Sequence, residues 1–171
     1  MSEAWRIEPL GRSHERSRFA CGVQPLDKYL ARFARQNHES GIAKTFVAVA
    51  PEDPRRVLGY YSISVGAIER ENLPARAAKR FPNFPIPVAR LARLAVDQAF
   101  QRRGQGEDLM MDVLNRVLRA SRDIGIVAML IDAKDEKAKR FCARYEFESL
   151  PDQPLTLWLP IVVIARLFAA T

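Results

Sequence analysis

Two cysteines and two histidines in 171 residues leave little material for metal or disulfide chemistry. Cys21 and Cys142 form no metal-binding spacing, and His14 and His38 are placed near neither of them. The economical expectation is a reduced, cytoplasmic protein. A secretion signal is also lacking, because the opening MSEAWRIEPL contains no apolar core. Nor is there a clear membrane span. The apolar stretch 155–170 is short for one and is interrupted by Pro160 and Arg166. Internal repeats and low-complexity segments are absent. With 48% hydrophobic residues, the chain can bury a substantial core, and a single domain over 1–171 is expected.

Charge is plentiful, and it is unbalanced. The formal net charge is +7. Basic residues recur at Arg76, Lys79, Arg80, Arg90, Arg93, Arg102 and Arg103, then at Lys134, Lys137, Lys139, Arg140 and Arg144. The excess points to a polyanionic partner, RNA before others, although a solvated basic surface has the same composition.

The most informative stretch is Leu91–Leu118. Leu94-Ala95-Val96 has the composition of a buried strand, and Gln101-Arg102-Arg103-Gly104-Gln105-Gly106 forms a basic turn. Leu109, Met110, Val113, Leu114, Val117 and Leu118 then recur at helical spacing. A helix starting near Gly106 aims unpaired backbone N–H groups at the turn, and glycines at 104 and 106 permit positive φ and close approach. Strand, glycine turn and helix N-terminus together suit a phosphate or diphosphate. A bare Gly-x-Gly also serves turns that need only its geometry. The longer dinucleotide fingerprint and the Gly-Lys-Ser/Thr ending of a P-loop are both missing.

Elsewhere, 5–10 alternates like a first strand, and Leu26, Tyr29, Leu30 and Phe33 follow helical spacing. Lys44–Ala50 and Val57–Ser64 read as paired strands around the Pro51–Pro54 loop. Prolines at 74, 82, 85 and 87 break up 67–90, leaving a short helical turn at Ala75–Lys79, with Phe81, Phe84 and Ile86 expected to pin the segment to the core. Further expectations are a strand over Ile126–Ile131, a short helix marked by Ala138, Phe141, Cys142 and Tyr145, and a last strand over Leu155–Leu159. Beyond it, Ile161, Val162, Ile164, Leu167 and Phe168 are hard to bury and suggest an interface.

Gln101-x-x-Gly104-x-Gly106 matches the Gln/Arg-x-x-Gly-x-Gly/Ala signature of the GNAT N-acetyltransferase superfamily, and Arg93-Leu94-Ala95-Val96-Asp97 looks like its acyl-CoA strand. The chain resembles one branch nearly end to end, the acetyltransferase toxins of bacterial toxin–antitoxin pairs. The matching pieces include Phe19-x-Cys21-Gly22, Leu26-Asp27-x-Tyr29-Leu30, 59–64 (GYYSIS), Leu73-Pro74, Pro85-x-Pro87-Val88 and 132–135 (DAKD).

The resemblance implies an α/β GNAT fold, a mixed central sheet flanked by helices, with acetyl-CoA as acetyl donor. Its pantetheine arm would pair with backbone around Leu94, Ala95 and Val96. Its diphosphate would rest on amides of Arg102, Arg103, Gly104, Gln105, Gly106 and Glu107, with Gln101, Asp135 and Phe141 completing the donor site. The acceptor implied is the amino group of an aminoacyl-tRNA, held by Arg76, Lys79, Arg80, Arg90, Arg93, Lys137 and Arg140. A ribbon-helix-helix antitoxin, through which alone the chain would meet DNA, and a homodimer are implied as partners, with no membrane. An ordinary small-molecule or protein-amine acetyltransferase, and a non-catalytic acyl-CoA-binding or antitoxin-binding protein, remain as alternatives.

One departure bears on catalysis. The family ending Phe-Tyr-x-x-x-Gly-Phe places a tyrosine hydroxyl near the CoA sulfur, whereas this chain reads Phe141-Cys142-Ala143-Arg144-Tyr145-Glu146-Phe147. A thiol is too short to occupy the place of a phenol. Cys142 is then an inert buried thiol in a weakened enzyme, a proton donor directly or through water, or a bystander to Tyr145 one turn along. No acid or histidine stands in the sequence to activate it for covalent catalysis.

Overall fold

Apolar periodicity and turn residues divide the chain into short strands and helices, and the computed structural model describes them over residues 4–169. In order they are β1 (Arg6–Pro9), α1 (Gln24–Arg32), α2 (Ala34–Ser40), β2 (Lys44–Val49), β3 (Gly59–Ile68), α3 (Ala75–Ala78) and β4 (Ile86–Val96). Then follow α4 (Gln105–Ala120), β5 (Ala128–Asp132), α5 (Glu136–Ala143), β6 (Glu148–Leu150), β7 (Gln153–Pro160) and α6 (Ile161–Ala169). The strands form a mixed seven-stranded sheet in the order β1-β2-β3-β4-β5-β7-β6, with β4 and β5 parallel. This is the α/β architecture that the sequence suggests. Among the described residues, no helix is long and apolar enough to cross a membrane.

The chain resolves into two compact units, Met1–Ser64 with Ala92–Val113 and Val65–Leu91 with Leu114–Thr171. In the first, β2 pairs antiparallel with β1 (Ile7 opposite Ala48) and with β3 (Val47 opposite Tyr60). Its core gathers Phe19, Leu30, Val47, Val57 and Tyr60, with Phe19 edge-on to Tyr60 at 5.4 Å between ring centroids. Pro25 suits the first turn of α1, where its missing N–H leaves no bond unmade. The helical spacing from Leu26 predicts one helix through Phe33. Instead the chain breaks there, α2 follows directly, and Phe33 is 47% exposed while Tyr29 and Leu30 are buried. Gly41, at φ 84°, ends α2 with its N–H on the Asn37 carbonyl.

The second unit differs more from expectation. β4 begins at Ile86, eight residues before Leu94, despite Pro87. Proline is tolerated at a strand's start because it needs only its carbonyl, and here Pro87 accepts from Val127 N–H at 3.0 Å. β7 pairs antiparallel with β5 and with the short β6, which no alternation in the sequence announced. Leu73, Ile86, Val88, Leu130, Leu150 and Trp158 build the core, and Phe81 packs against it. Phe84 does not join them and lies exposed.

The end of the apolar C-terminal stretch is the helix α6, which buries those residues only in part. Ile164 is completely buried, Ile161, Leu167 and Phe168 are half-buried, and only Val162 of the five is fully open.

Glu146, just after α5, has φ 70°. Left-handed backbone disfavours any residue with a Cβ, and the family pattern has glycine here. Glu146→Gly should raise unfolding stability by about 1 kcal/mol, read from denaturant midpoints. An unchanged or lowered midpoint would mean that the strain is relieved locally.

Candidate active site

The turn joining β4 to α4 is fixed by Asp97. Its buried carboxylate accepts Ala20 N–H at 3.1 Å and Ala99 N–H at 2.9 Å, while its own N–H donates to Leu58 O at 2.8 Å. Gln101 adds a brace, its Nε2 donating to Cys21 O at 2.9 Å and to Val96 O at 2.8 Å. Between these anchors the backbone turns sharply, with Arg102 at φ 64° and Gly104 at φ 85°. Alternating left-handed residues turn successive amides toward one side, the geometry of an anion nest. The first α4 bond runs from Asp108 N–H to Gly104 O at 3.1 Å, so the helix-end amides precede it.

Residues 101–104 are exposed. Gly106 departs from the expectation of a permissive turn residue: it lies within α4, and the left-handed position falls to Arg102 instead. Gln105 is 1% exposed, and neither atom of its side-chain amide has a hydrogen-bond partner among the described residues. The side chain turns inward beside Gly59, where an added Cβ would meet Gln105 Oε1 at 2.2 Å and Ala95 O at 3.1 Å. Gln105 can therefore address a ligand only through its backbone. Glu107 and Asp108 in the first turn favour the helix dipole but offset the charge of Arg102 and Arg103, and Trp5 Nε1 donates to Asp108 Oδ2 at 2.8 Å.

On β4, Ala95 is buried, while Leu94 and Val96 are half-buried. Arg93 places its guanidinium 3.6 Å from the centre of the Tyr29 ring. Tyr29 in turn belongs to a buried hydroxyl cluster: its Oη lies 3.2 Å from Ser62 Oγ, Thr45 Oγ1 donates to Ser62 Oγ at 3.3 Å, and Asn37 Nδ2 donates to Tyr29 Oη at 3.3 Å. Sequence reasoning missed this cluster. Its only trace was Ser62 and Thr45 inside otherwise apolar strands.

The second unit holds the remaining expected residues. Asp135 caps α5, accepting Ala138 N–H at 2.9 Å. That bond, with Lys134 beside it, holds its carboxyl below the usual carboxylate range. Phe141 is half-buried, edge-on to Tyr145 at 5.7 Å, with Arg144 5.0 Å from its centroid. Cys142 is 4% exposed, and burial raises its thiol pKa from 9.0 to about 11.

Two of the basic residues expected to hold tRNA are engaged in ion pairs. Arg76 pairs with Glu148, and Arg90 pairs with Asp132. Arg76 and Arg80 line a cavity of about 600 Å³ together with Glu146, Glu148, Trp158 and Arg166. Lys79, Lys137 and Arg140 are exposed.

No family model matches the chain. It is 36% identical over 141 residues to a "tRNA-acetylating toxin" of Mycobacterium tuberculosis, covering 82% of each chain. It is also 32% identical over 170 residues to a "Probable toxin TacT" of Sinorhizobium fredii, covering 94% of this chain and 93% of the relative. Among solved structures, a tyrosine-to-phenylalanine variant of KacT matches with a TM-score of 0.90 and 32% identity, over 95% of this chain and 98% of that one. AtaT complexed with acetyl-methionyl-tRNAfMet matches at 0.89 and 30%, over 96% and 99%. A tyrosine-to-phenylalanine variant of AtaT, bound to the C-terminus of the antitoxin AtaR and to acetyl-CoA, matches at 0.82 and 29%, over 96% and 98%. The sheet order and the turn after β4 define a GNAT-fold protein. More narrowly, the chain belongs to the family of tRNA-acetylating toxins.

The buried thiols make the fold sensitive to alkali. Burial raises the Cys21 pKa from 9.0 to about 11, aided by Asp27, and burial raises Tyr60 as well. Folded-state values above the unfolded ones mean that stability is fully present below about pH 9 and is lost as pH rises through about 11. Denaturant midpoints should fall over that window, and less so in Cys142→Ala. A flat profile would show that these thiols are open to water.

Proposed function

We propose that this chain transfers the acetyl group of acetyl-CoA to the α-amino group of an aminoacyl-tRNA and thereby blocks translation. The observation that carries the reading is its likeness, over 96% of its length, to AtaT complexed with acetyl-methionyl-tRNAfMet. The turn after β4 supports it independently, because left-handed Arg102 and Gly104 ahead of a helix N-terminus suit a diphosphate. We take residues 1–171 as one acetyltransferase domain, cytoplasmic and homodimeric. A ribbon-helix-helix antitoxin neutralises it and supplies its only contact with DNA.

The chemistry demands little of the protein. The amine attacks the thioester carbonyl, the tetrahedral oxyanion collapses with cleavage of the C–S bond, and the proton shed by the amine nitrogen balances the one taken up by the departing CoA thiolate. An α-amino group with a pKa of about 7.7–8.0 is already about a tenth to a fifth unprotonated at pH 7, so orientation does more than a strong base. In this reading the backbone of Leu94–Val96 aligns the pantetheine arm. Amides of residues 102–107 hold the diphosphate, with Gln101 fixing the turn rather than touching the donor. Asp135 acts by capping the start of α5, the helix that carries Phe141. Lys79, Arg80, Lys137 and Arg140 supply the attraction for tRNA, and Arg76, Arg90 and Arg93 contribute only by leaving their present partners.

Cys142 stands where the family pattern has tyrosine. Its burial and raised pKa support the role of a spectator, because a thiol near 11 donates poorly and nothing beside it lowers that value. The same observation favours a second reading, a chain that binds acyl-CoA and antitoxin with little turnover.

Labelled acetyl-CoA incubated with charged and uncharged tRNA separates the two. Label should appear only on charged tRNA, faster with Cys142→Tyr than with the parent, and little changed with Cys142→Ala. An about 10²-fold loss in Cys142→Ala would instead make the thiol the proton donor. No transfer by either the parent or Cys142→Tyr would leave the non-catalytic reading. Binding of tRNA should also weaken steeply with salt, log K falling linearly with log salt concentration. A flat salt response would point to a small-molecule acceptor.

A further inference from the structure

The guanidiniums of Arg56 and Arg103 each lie 5.1 Å from the centroid of the Phe100 ring. The two charges are therefore at most twice that distance apart. Arg103 belongs to the turn itself, one residue before Gly104. Arg56 comes from the β2–β3 connection, outside the glycine motif. Its backbone is held by Arg56 N–H donating to Asp53 O at 3.2 Å, and Arg55 O accepts Glu15 N–H at 2.7 Å. Glu15 approaches Arg55 and Arg18, and among the described residues no carboxylate pairs with Arg56. Nothing in the core requires Arg56 to be charged, and Phe100 holds it facing the turn.

We propose that Arg56 and Arg103, steadied by Phe100, form a second phosphate subsite that takes the 3′-phosphomonoester of the donor's ribose. The inference rests on the reading of this protein as an acetyl-CoA-dependent enzyme. The donor carries its diphosphate and its 3′-phosphate half a ribose ring apart. An anion nest that takes the first leaves the second within reach of side chains bordering the turn. A phosphomonoester bears close to two negative charges at neutral pH, and guanidinium matches it with paired N–H donors. Two cations gathered around one aromatic ring are favoured further by a dianion between them. Backbone amides alone recognise any diphosphate. Arg56 therefore distinguishes CoA thioesters from donors that lack the 3′-phosphate.

Calorimetric titration of the full chain with CoA and with 3′-dephospho-CoA tests this. The parent should bind CoA about ten- to a hundredfold more tightly, the range expected for hydrogen bonds to a charged group. Arg56→Gln should lose most of that difference while keeping its affinity for dephospho-CoA, which also shows that the variant is folded. Arg56→Lys should retain part of it. Equal binding of both ligands by the parent, or equal weakening of both in Arg56→Gln, would overturn the subsite and leave the acetyltransferase reading standing. Failure of the parent to bind either ligand would overturn both.

Discussion

Asp97 is a buried carboxylate, and the turn after β4 depends on it. Removing a carboxylate from water is costly unless its oxygens are met by donors, and Ala20 and Ala99 meet them. Those bonds tie the loop before α1 to the end of β4, while Asp97 N–H on Leu58 O ties both to the start of β3. Gln101 then fastens Cys21 and Val96 to the same point. With both ends held, Arg102 and Gly104 can remain left-handed, and α4 can begin with its amides facing outward. Gln105, turned inward against Gly59, fixes the rotation of the helix at its first residue. Recognition of an anion by backbone needs this rigidity, because amides that must be ordered on binding give up much of their affinity.

The catalytic contribution is correspondingly modest. An α-amine brings its own nucleophilicity, so in the proposed reaction a change at the proton donor costs less than a change at the turn. Cys142 and Glu146 are the two departures from the family ending, and both carry a structural consequence. The thiol is sealed in the core with a pKa pushed to about 11, and the glutamate sits at φ 70° where glycine would be unstrained. A chain altered at the donor position but complete at the turn would bind its cofactor well and turn over slowly.

The sequence disclosed the features that depend on local pattern. The apolar spacing of Leu109–Leu118 and the basic glycine turn ahead of it correspond to α4 and its approach. The end-to-end resemblance led to the tRNA-acetylating toxins, the family that the comparisons support. Features set by distant partners were hidden. Prolines at 85 and 87 concealed the first half of β4, since only pairing with β5 shows that Pro87 is tolerated. The break at Phe33 follows no proline or glycine. The charge of Arg76 and Arg90 looked available until Glu148 and Asp132, 72 and 42 residues away, came beside them. Arg56 was overlooked because Phe100, which orients it, lies far along the chain. Gly106 shows the reverse error, in which a motif glycine taken for turn geometry lies inside a helix.

Calorimetry of acetyl-CoA binding to Gly104→Val tests most directly whether the turn holds the donor. Apart from its chain neighbours, no heavy atom of the described residues lies within 4 Å of the position a Cβ would take at Gly104, so the substitution acts on the backbone at φ 85° rather than by collision. Valine is strongly disfavoured there and should reorient the amides that follow while leaving α4 and the core intact. The expected result is a folded protein, with an unchanged far-ultraviolet circular dichroism spectrum, that no longer binds acetyl-CoA measurably. A folded variant with the parent's affinity would contradict it.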